Sequence, residues 1–298
     1  MKVEKWEDLR KLQIPVMICN VMMYVSLGLY ILGQSLVRAQ GSSAAKWEWI
    51  TWLASFAGLI IFSILFMNRR RVYADAYKKF VIDQAAKDLF DNYTYYPKTG
   101  YDVEYIRNTG IMSMGNTFKS EDLVEGAYKG VSFRRADVYI AVKSKNTNVL
   151  LRGTWCVFAY NKGFTTDIQI FSNDFRNEVK KSSIFTSKDV RRHKVQSEDV
   201  DFNSQFTCTC QNDNEAFYIL TPHMMQMLKE LKKELRCPIM LGFKNDSMHF
   251  VIQSGKDNME PPIYGKLNLY DEIVKNRMEL TGIRRIVDVL AIDREIYK

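Results

Sequence analysis

Two long apolar stretches dominate the first quarter of the chain. Residues 14–37 contain no formal charge, and residues 47–67 contain only Glu48, which lies at the very edge of the stretch. At about 1.5 Å per residue, a helix over the second stretch is roughly 31 Å long, which matches a bilayer core. Soluble core helices rarely lack charges over such lengths, so the pattern predicts a transmembrane hairpin within residues 1–68.

Aromatic residues mark the start of the second predicted span. Trp47, Trp49 and Trp52 lie where interfacial anchors are commonly found. A cleaved signal peptide is the alternative interpretation of the first span. Its apolar stretch is about twice the usual length of a signal core, and a second span follows closely, so we favour a retained span.

Basic residues flank the two spans at their outer ends. Both flanks contain more Lys and Arg than the connector, which has only Arg38 and Lys46. The positive-inside rule therefore predicts an inner (cytoplasmic) membrane protein with both termini in the cytoplasm. The basic residues after the second span are also expected to contact the anionic inner leaflet. They are Arg69, Arg70, Arg71, Lys78 and Lys79.

The remainder of the chain has the patterns of a folded soluble domain. Residues 69–94 carry apolar positions at helical spacing and predict a juxtamembrane helix. Residues 95–298 contain alternating strand patterns joined by turns such as Tyr128-Lys129-Gly130, and a helix start at Thr221-Pro222. The predicted fold class is α+β: a two-helix transmembrane hairpin followed by a cytosolic domain with an antiparallel sheet and packed helices.

Four local features complete the predicted element map. Turn residues predict hairpins at residues 161–163 and 244–247, and a short apolar run predicts a strand over residues 216–220. The last helix, over residues 269–296, is expected to break or kink near Gly282.

Five short motifs are spread along the soluble part of the chain: "YYPKTG" from Tyr95, "GVSF", "RGTWCVFAYNKGF", "LTPHMMQML" and "IRRIVDVL". In combination they resemble the bacterial domain of unknown function 3137 family. The chain departs from the family pattern at Ala159-Tyr160, where the family has Asp-Phe. The resemblance implies a membrane-anchored domain, and it supplies no catalytic residue.

The composition of the chain limits the compartments and the kinds of partner that we expect for this protein. The formal net charge of +8 indicates an anionic neighbour such as a membrane surface or nucleic acid. Five cysteines at irregular spacings indicate a reducing compartment without a disulfide framework. The basic segment 188–194 has no interleaved aromatic residues, so we expect a solvated loop and no nucleic-acid partner.

The sequence contains only incomplete matches to motifs that bind phosphate or metal. "GIMSMGNT" (Gly110 to Thr117) has the glycine spacing of a phosphate-binding loop, but Asn116 stands where that loop needs lysine. Cys208 and Cys210 could gather round zinc with His193, His223 and His249. Buried apolar thiols are the commoner explanation of such a strand. We therefore expect no metal or cofactor and assign no catalytic residue.

The leading functional hypothesis is an integral membrane protein that acts as a membrane-anchored cytosolic interaction module for a protein partner, without catalysis. The first alternative is a membrane-tethered enzyme acting on a lipid or nucleotide. The second is a homo-oligomer that forms a pore. Asn20, Gln34, Ala54 and Gly58 in the spans fit a pore or oligomer contact, and equally fit two spans that pack on each other.

Overall fold

The computed structural model describes residues 6–40, 46–175, 192–256 and 259–290. The helices are α1 (Trp6–Gln40), α2 (Lys46–Ala86), α3 (Val103–Thr109), α4 (Val200–Gln205), α5 (Asp213–Ile219), α6 (Pro222–Leu235) and α7 (Leu269–Leu290). The strands are β1 (Asn92–Tyr96), β2 (Thr117–Tyr128), β3 (Val131–Lys143), β4 (Thr147–Ser172), β5 (His193–Val195), β6 (Phe206–Cys210) and β7 (Ile239–Ile252).

The chain divides into two compact units. The hairpin unit comprises Met1–Ile82 and Glu260–Val274, and the sheet unit comprises Asp83–Met259 and Lys275–Lys298. The boundaries that the sequence suggests, at residues 68/69 and 94/95, stay predictions. Helix α2 runs without a break through the first of them.

The hairpin unit contains two helices long and apolar enough to cross a membrane, over Trp6–Ser35 and Trp49–Ala86. Core helices of a soluble fold are mostly buried, and these two helices are not. In the most apolar 18-residue part of each helix, 17% is buried in the first helix and 0% in the second. Long apolar surfaces exposed in this way suit lipid better than water. The predicted spans over residues 14–37 and 47–67 fall within α1 and α2.

The two long helices pack on each other through small and aromatic residues. A Cβ atom added at Gly58 would lie 3.1 Å from the hydroxyl oxygen of Ser26, and Tyr30 stacks on Trp52 with ring centroids 5.6 Å apart. Of the two small residues Ala54 and Gly58, only Gly58 contributes to this contact, because Ala54 is exposed. Gln34 donates a 3.4 Å hydrogen bond to the Tyr30 hydroxyl within its own helix.

Glu260–Val274, which we call the return segment, packs against the end of the hairpin that lies away from the connector. The buried Gln13 amide of α1 donates to the backbone carbonyls of Pro262, Ile263 and Gly265, each at 3.3 Å. The hydroxyl of Tyr73 donates to the Pro262 carbonyl at 3.0 Å. These bonds close the hairpin with residues that are distant in sequence.

Further contacts extend the same closure. The Tyr264 hydroxyl donates to the buried Asn20 side chain, and buried Lys78 forms an ion pair with Glu260 at 3.0 Å. An apolar cluster surrounds these polar contacts. Its buried members are Leu9, Val16, Tyr73, Tyr77, Val81 and Leu267.

The sheet unit is built on one seven-stranded antiparallel sheet. Its strand order is β1-β2-β3-β4-β6-β5, and β7 also pairs with β4. The predicted turn between β2 and β3 is confirmed: Lys129 (φ 51°) and Gly130 (φ 75°) are both left-handed, as a two-residue hairpin turn requires. The Thr221 hydroxyl caps α6 by accepting from the Met224 amide. The α+β fold class is confirmed.

Several local predictions were wrong. Residues 161–163 and 244–247 do not turn, because β4 and β7 pair with each other on both sides of these positions and absorb the extra residues as register shifts. Residues 216–220 lie mostly in helix α5, which the Asn212 side chain caps by accepting from the Asn214 amide. Helix α7 continues through Gly282. Helix α2 ends at Ala86, and strand β1 follows at Asn92.

The apolar core of the sheet unit holds a neutral histidine. The Trp155 indole N–H donates to His249 Nδ1 at 3.1 Å, so that nitrogen carries no proton. Burial, together with the positive charges of Arg134 and Lys244, lowers the pKa of His249 to about 4. The histidine therefore belongs to the packing of the core.

A buried ion pair occupies the polar face of the same sheet. Arg135 Nη2 lies 2.7 Å from Asp137 Oδ1 and donates to the Thr154 hydroxyl at 3.0 Å. The Arg135 side chain is 1% exposed, and its Nη1 lies 3.4 Å from the Met259 sulfur. Burial lowers the pKa of Arg135, but the surrounding charges, that of Asp137 first, together outweigh burial and raise the pKa, so the guanidinium stays protonated. Both ions belong to β3, and the hydrogen bond from Arg135 to Thr154 connects them to β4.

We expect His249→Gln to flatten the pH dependence of stability. The unfolded chain takes up a proton at His249 as the pH falls through about 6.5, whereas the folded chain resists until about 4. The histidine's contribution is complete above pH 6.5, and about 3 kcal/mol is lost as the pH falls to 4. Urea unfolding of the full chain in detergent, followed by tryptophan fluorescence, measures the difference. Parallel curves for the two proteins would contradict this assignment.

We expect Asp137→Asn to lower the free energy of unfolding by about 3 to 5 kcal/mol, because it leaves a buried guanidinium without its countercharge. Adding Arg135→Met should restore part of that loss. Glu234→Gln is the matched control, because Glu234 pairs with Arg285 on the surface at 2.6 Å and should cost about 1 kcal/mol or less. Additive losses in the Arg135 and Asp137 cycle would contradict the coupling.

Candidate functional site

A cleft of about 350 Å³ opens on the polar face of the sheet unit, where β2, β3 and β4 run side by side. Four basic side chains and two carboxylates dominate its walls. The residues that line it are Lys119, Glu121, Asp137, Val138, Tyr139, Lys143, Arg152, Gly153 and Lys256. We call this feature the basic cleft.

The strand register places its central residues in two rows. Lys119, Tyr139 and Arg152 are neighbours across β2, β3 and β4. Glu121 lies opposite Asp137 in the next row of the same face. Side chains two residues apart on a strand share a face, so both rows point into the cleft.

A bulge in β2 shapes the acidic end of the basic cleft. The register shifts between Glu121 and Val124, and the buried Asp122 within it adopts a φ of 60°. The Tyr95 hydroxyl donates to the Asp122 carboxylate at 2.5 Å, and burial followed by the Asp122 charge raises the pKa of Tyr95. This bond offsets part of the backbone strain at the bulge.

Lys143 and Lys256 line the basic cleft because the backbone near each of them is held in place. Asn116 fixes the end of β3, since its side chain donates to the Lys143 carbonyl at 2.7 Å and accepts from the Lys143 amide at 2.8 Å. On the other side, a Cβ atom at Gly153 would lie 1.9 Å from the Ile252 carbonyl oxygen. Only glycine allows β7 to approach there, and Lys256 follows directly after that strand.

The charges of the basic cleft favour an anion. Lys119, Lys143, Arg152 and Lys256 are exposed, and among the described residues no carboxylate forms an ion pair with any of them. The Asp137 carboxylate is already paired with Arg135 behind the cleft wall. The positive charge of the four side chains is therefore free to meet a ligand.

One thiol lies near this network without being reactive. Cys156 pairs with Arg135 in the register of β3 and β4, and it is 1% exposed. Burial raises the pKa of the Cys156 thiol to about 12, so the thiol stays protonated at neutral pH. It packs as a small apolar side chain.

The basic residues predicted to meet the membrane surface lie on α2. Arg69, Arg71 and Lys79 are exposed, and Arg70 pairs with Glu260 at 3.3 Å. Lys78 is buried against Glu260, which argues against a contact between Lys78 and lipid. Lipid contact by the others stays a prediction.

The predicted interfacial tryptophans lie at the start of α2. Trp49 is 47% exposed, and Trp52 packs against Tyr30 of α1. The side chain of Trp47 lies outside the described residues. Whether these residues lie at a membrane interface stays a prediction.

The fold separates most of the zinc candidates of the sequence but brings His193 and Cys210 together. His249 is in the core against Trp155, and His223 is exposed at the start of α6. Cys208 is buried opposite Val195, as a structural thiol would be. His193 lies opposite Cys210, and Asp213, which the sequence did not single out, lies beside them.

The glycine-spaced motif is part of the core and the rim. Gly110 is the left-handed cap of α3, and Ile111 and Met112 are buried in the main apolar cluster. Asn116 holds β3, as described above. The backbone of this motif is committed to packing. In the basic segment 188–194, residues 188–191 lie outside the described residues.

Sequence reasoning missed the basic cleft. Lys119 and Glu121 are two residues apart on β2 and therefore share a face, and no other short motif among the cleft residues points to the cleft. Lys143, Arg152 and Lys256 meet them through strand register and through the approach of β7 to Gly153. A single sequence does not encode that register in any short motif.

Comparisons with known proteins were made against families, curated proteins and solved structures. No curated protein matches the sequence. The crystal structure of the mycobacterial trehalose monomycolate transport factor A, TtfA, aligns with 72% of this chain and 94% of its own, at 10% identity and a TM-score of 0.36. A TM-score below 0.5 does not establish a common fold, so this likeness carries no argument about the chain.

The family comparison bears on the resemblance seen in the sequence. Residues 149–292 match a family described as "Protein of unknown function (DUF3137)". The matched range contains "RGTWCVFAYNKGF", "LTPHMMQML" and "IRRIVDVL", and it includes Arg152, Gly153 and Lys256 of the basic cleft. The resemblance is confirmed over residues 149–292, which make up just under half of the chain.

Proposed function

We propose that this protein is a membrane-anchored interaction module whose sheet unit lies in the cytoplasm and binds an acidic segment of a protein partner in the basic cleft. The observation that carries the proposal is the set of four cationic side chains around one cleft of about 350 Å³. That volume is within the range of ligand sites and is large enough for a few carboxylate side chains.

The surroundings of the basic cleft support binding. Lys119 and Arg152 project from paired strands, and Asn116 holds the backbone of Lys143 with two hydrogen bonds. Preorganised cations lose little entropy when an anion arrives, and they speed association by electrostatic steering. Asp137 is committed to Arg135, which supports a positioning role for that carboxylate over an acid–base role.

The hairpin unit supports a cytoplasmic position for the soluble part. The antiparallel pairing of α1 and α2 puts the N-terminal flank, the basic residues after the second span and the return segment at one end. That end carries the excess of Lys and Arg, which favours the cytoplasmic side. The inner membrane of a bacterium fits both this orientation and the family resemblance.

The packing within the hairpin bears on the pore alternative. Gly58 faces Ser26 of the same chain, and Asn20 accepts a hydrogen bond from Tyr264 of the same chain. These polar and small residues are therefore used inside one molecule. This favours an anchor over an oligomeric pore.

We expect charge reversal in the basic cleft to weaken binding of an acidic peptide. Lys119→Glu with Arg152→Glu should raise the Kd of a fluorescent hexaglutamate peptide by about tenfold or more, equivalent to about 1.4 kcal/mol. Fluorescence anisotropy with the full chain in a neutral detergent measures this, and added salt should weaken the wild-type complex.

Lys87→Glu with Lys233→Glu is the matched control for net charge, because both lysines are exposed and neither lines the basic cleft. It should change the Kd by no more than about twofold, as a distant exposed charge does. Equal losses in both variants, or no binding by the wild type, would overturn the assignment. Pyrophosphate that binds better than the peptide would overturn the protein partner in favour of a small phosphate compound.

We expect both ends of the protein to be cytoplasmic. A fluorescent protein fused after Lys298 should be fluorescent, and alkaline phosphatase at the same position should be inactive. Alkaline phosphatase fused after Ala45, which follows only the first span, should be active and serves as the control. An active phosphatase after Lys298 would contradict the proposed topology.

A further inference from the structure

Three potential metal ligands converge at one edge of the sheet unit. They are His193 on β5, Cys210 at the end of β6, and Asp213 at the start of α5. One ligand atom from each lies within 4.8 Å of the others. Their elements are brought together by the pairing of β5 with β6 and by the short connection from β6 to α5.

The register explains why the histidine and the cysteine meet. His193 is directly opposite Cys210 in the antiparallel pair, and opposite residues project their side chains to the same face. Cys208 shares that face but lies opposite Val195, two pairs further along the strands, where both residues are buried. The two cysteines therefore have different environments, although only one residue separates them in the sequence.

The Asp213 carboxylate is the centre of the cluster. Its Oδ1 atom accepts from Cys210 Sγ at 3.7 Å and is hydrogen-bonded to His193 Nε2. A hydrogen bond between histidine and aspartate on a surface does not by itself indicate a metal site. Here a buried thiol contacts the same carboxylate oxygen, which adds a third potential ligand.

The distances fit a tetrahedral ion. Zinc binds sulfur at about 2.3 Å and a carboxylate oxygen at about 2.1 Å, which places those two atoms about 3.6 Å apart at a tetrahedral angle. The 3.7 Å between Cys210 Sγ and Asp213 Oδ1 matches that separation. The His193 ring has to withdraw from the carboxylate to make room for the ion.

The access and the donor types are those of an open site. Cys210 is fully buried, whereas the side chains of His193 and Asp213 are 51% and 57% exposed, so an ion can enter from solvent. Thiolate, imidazole and carboxylate together favour zinc over magnesium or calcium, which prefer oxygen ligands alone. Three protein ligands leave a fourth position for water or another group.

We propose that His193 Nε2, Cys210 Sγ and the Asp213 carboxylate form a binding site for Zn²⁺, with a fourth coordination position open to solvent. Binding exchanges one proton: the Cys210 thiol loses its proton to water as the Zn–S bond forms, and the hydrogen bond from that thiol to Asp213 is replaced by two bonds to the ion. The site is independent of the basic cleft, because none of its three residues lines that cleft.

Cobalt is the probe for this site, because Co²⁺ replaces Zn²⁺ in thiolate sites and gives an ultraviolet band from sulfur-to-metal charge transfer. The full chain, purified without a histidine tag and treated with a chelator, is titrated with Co²⁺ and then with Zn²⁺. We expect one equivalent of Co²⁺ to produce the band and one equivalent of Zn²⁺ to remove it. Absence of the band in the wild-type protein would overturn the proposal.

Matched variants separate this site from other thiols and histidines. Cys210→Ser should abolish the band, and His193→Gln should weaken Co²⁺ binding by more than the roughly tenfold that loss of an outer-shell partner costs. Cys208→Ser and His223→Gln should keep the band and the affinity. Circular dichroism checks that each variant is folded, and Asp213→Asn gives a second test if Cys210→Ser is not. A band that survives both Cys210→Ser and Asp213→Asn, or that is lost in Cys208→Ser, would refute the assignment.

Discussion

The polar face of the sheet depends on one buried charge, the guanidinium of Arg135. Removing an ion from water costs several kcal/mol, so Arg135 needs a countercharge and further acceptors within reach. Asp137 and Thr154 provide them from β3 and β4, and that requirement holds the two strands in one register. The Asp137 backbone carbonyl also accepts from the Ser120 hydroxyl of β2 at 3.0 Å. Hydrogen bonds from the two residues of the ion pair thereby connect β3 to both of its neighbours, and the basic cleft is the surface that these three strands share.

The broad architecture could be predicted from the sequence because its signals are local. Uncharged runs of span length, the Lys129-Gly130 turn and the Thr221-Pro222 helix start each require only neighbouring residues to act. The errors arose where distant partners decide the local structure. Asn161 and Lys244 have turn-forming neighbours, yet the long pairing of β4 with β7 keeps the chain extended on both sides of them. Gly282 stays helical within α7 despite its low helix propensity.

The candidate sites were beyond a single sequence for a physical reason. A cleft built from Lys119, Arg152 and Lys256 needs strand register and a close backbone approach, neither of which leaves a compact motif. The cysteine spacing did draw attention to zinc, but it suggested Cys208 and Cys210 as a pair. The fold instead gives each cysteine a different neighbour, Val195 for the first and His193 for the second. Asp213 escaped notice because aspartates at the start of a helix are common for reasons of charge alone.

The return segment has a consequence for how the protein is made. Its contact with Tyr73 spans 189 residues of sequence, and at ribosomal rates that interval takes about 10 to 40 seconds to synthesise. During that time Gln13 and Asn20 lack the hydrogen bonds that Pro262 and Tyr264 later provide. The hairpin unit therefore emerges as an unfinished helix pair that is completed only after the sheet sequence has left the ribosome. A chain that stops short of residue 260 would leave those two side chains without these partners.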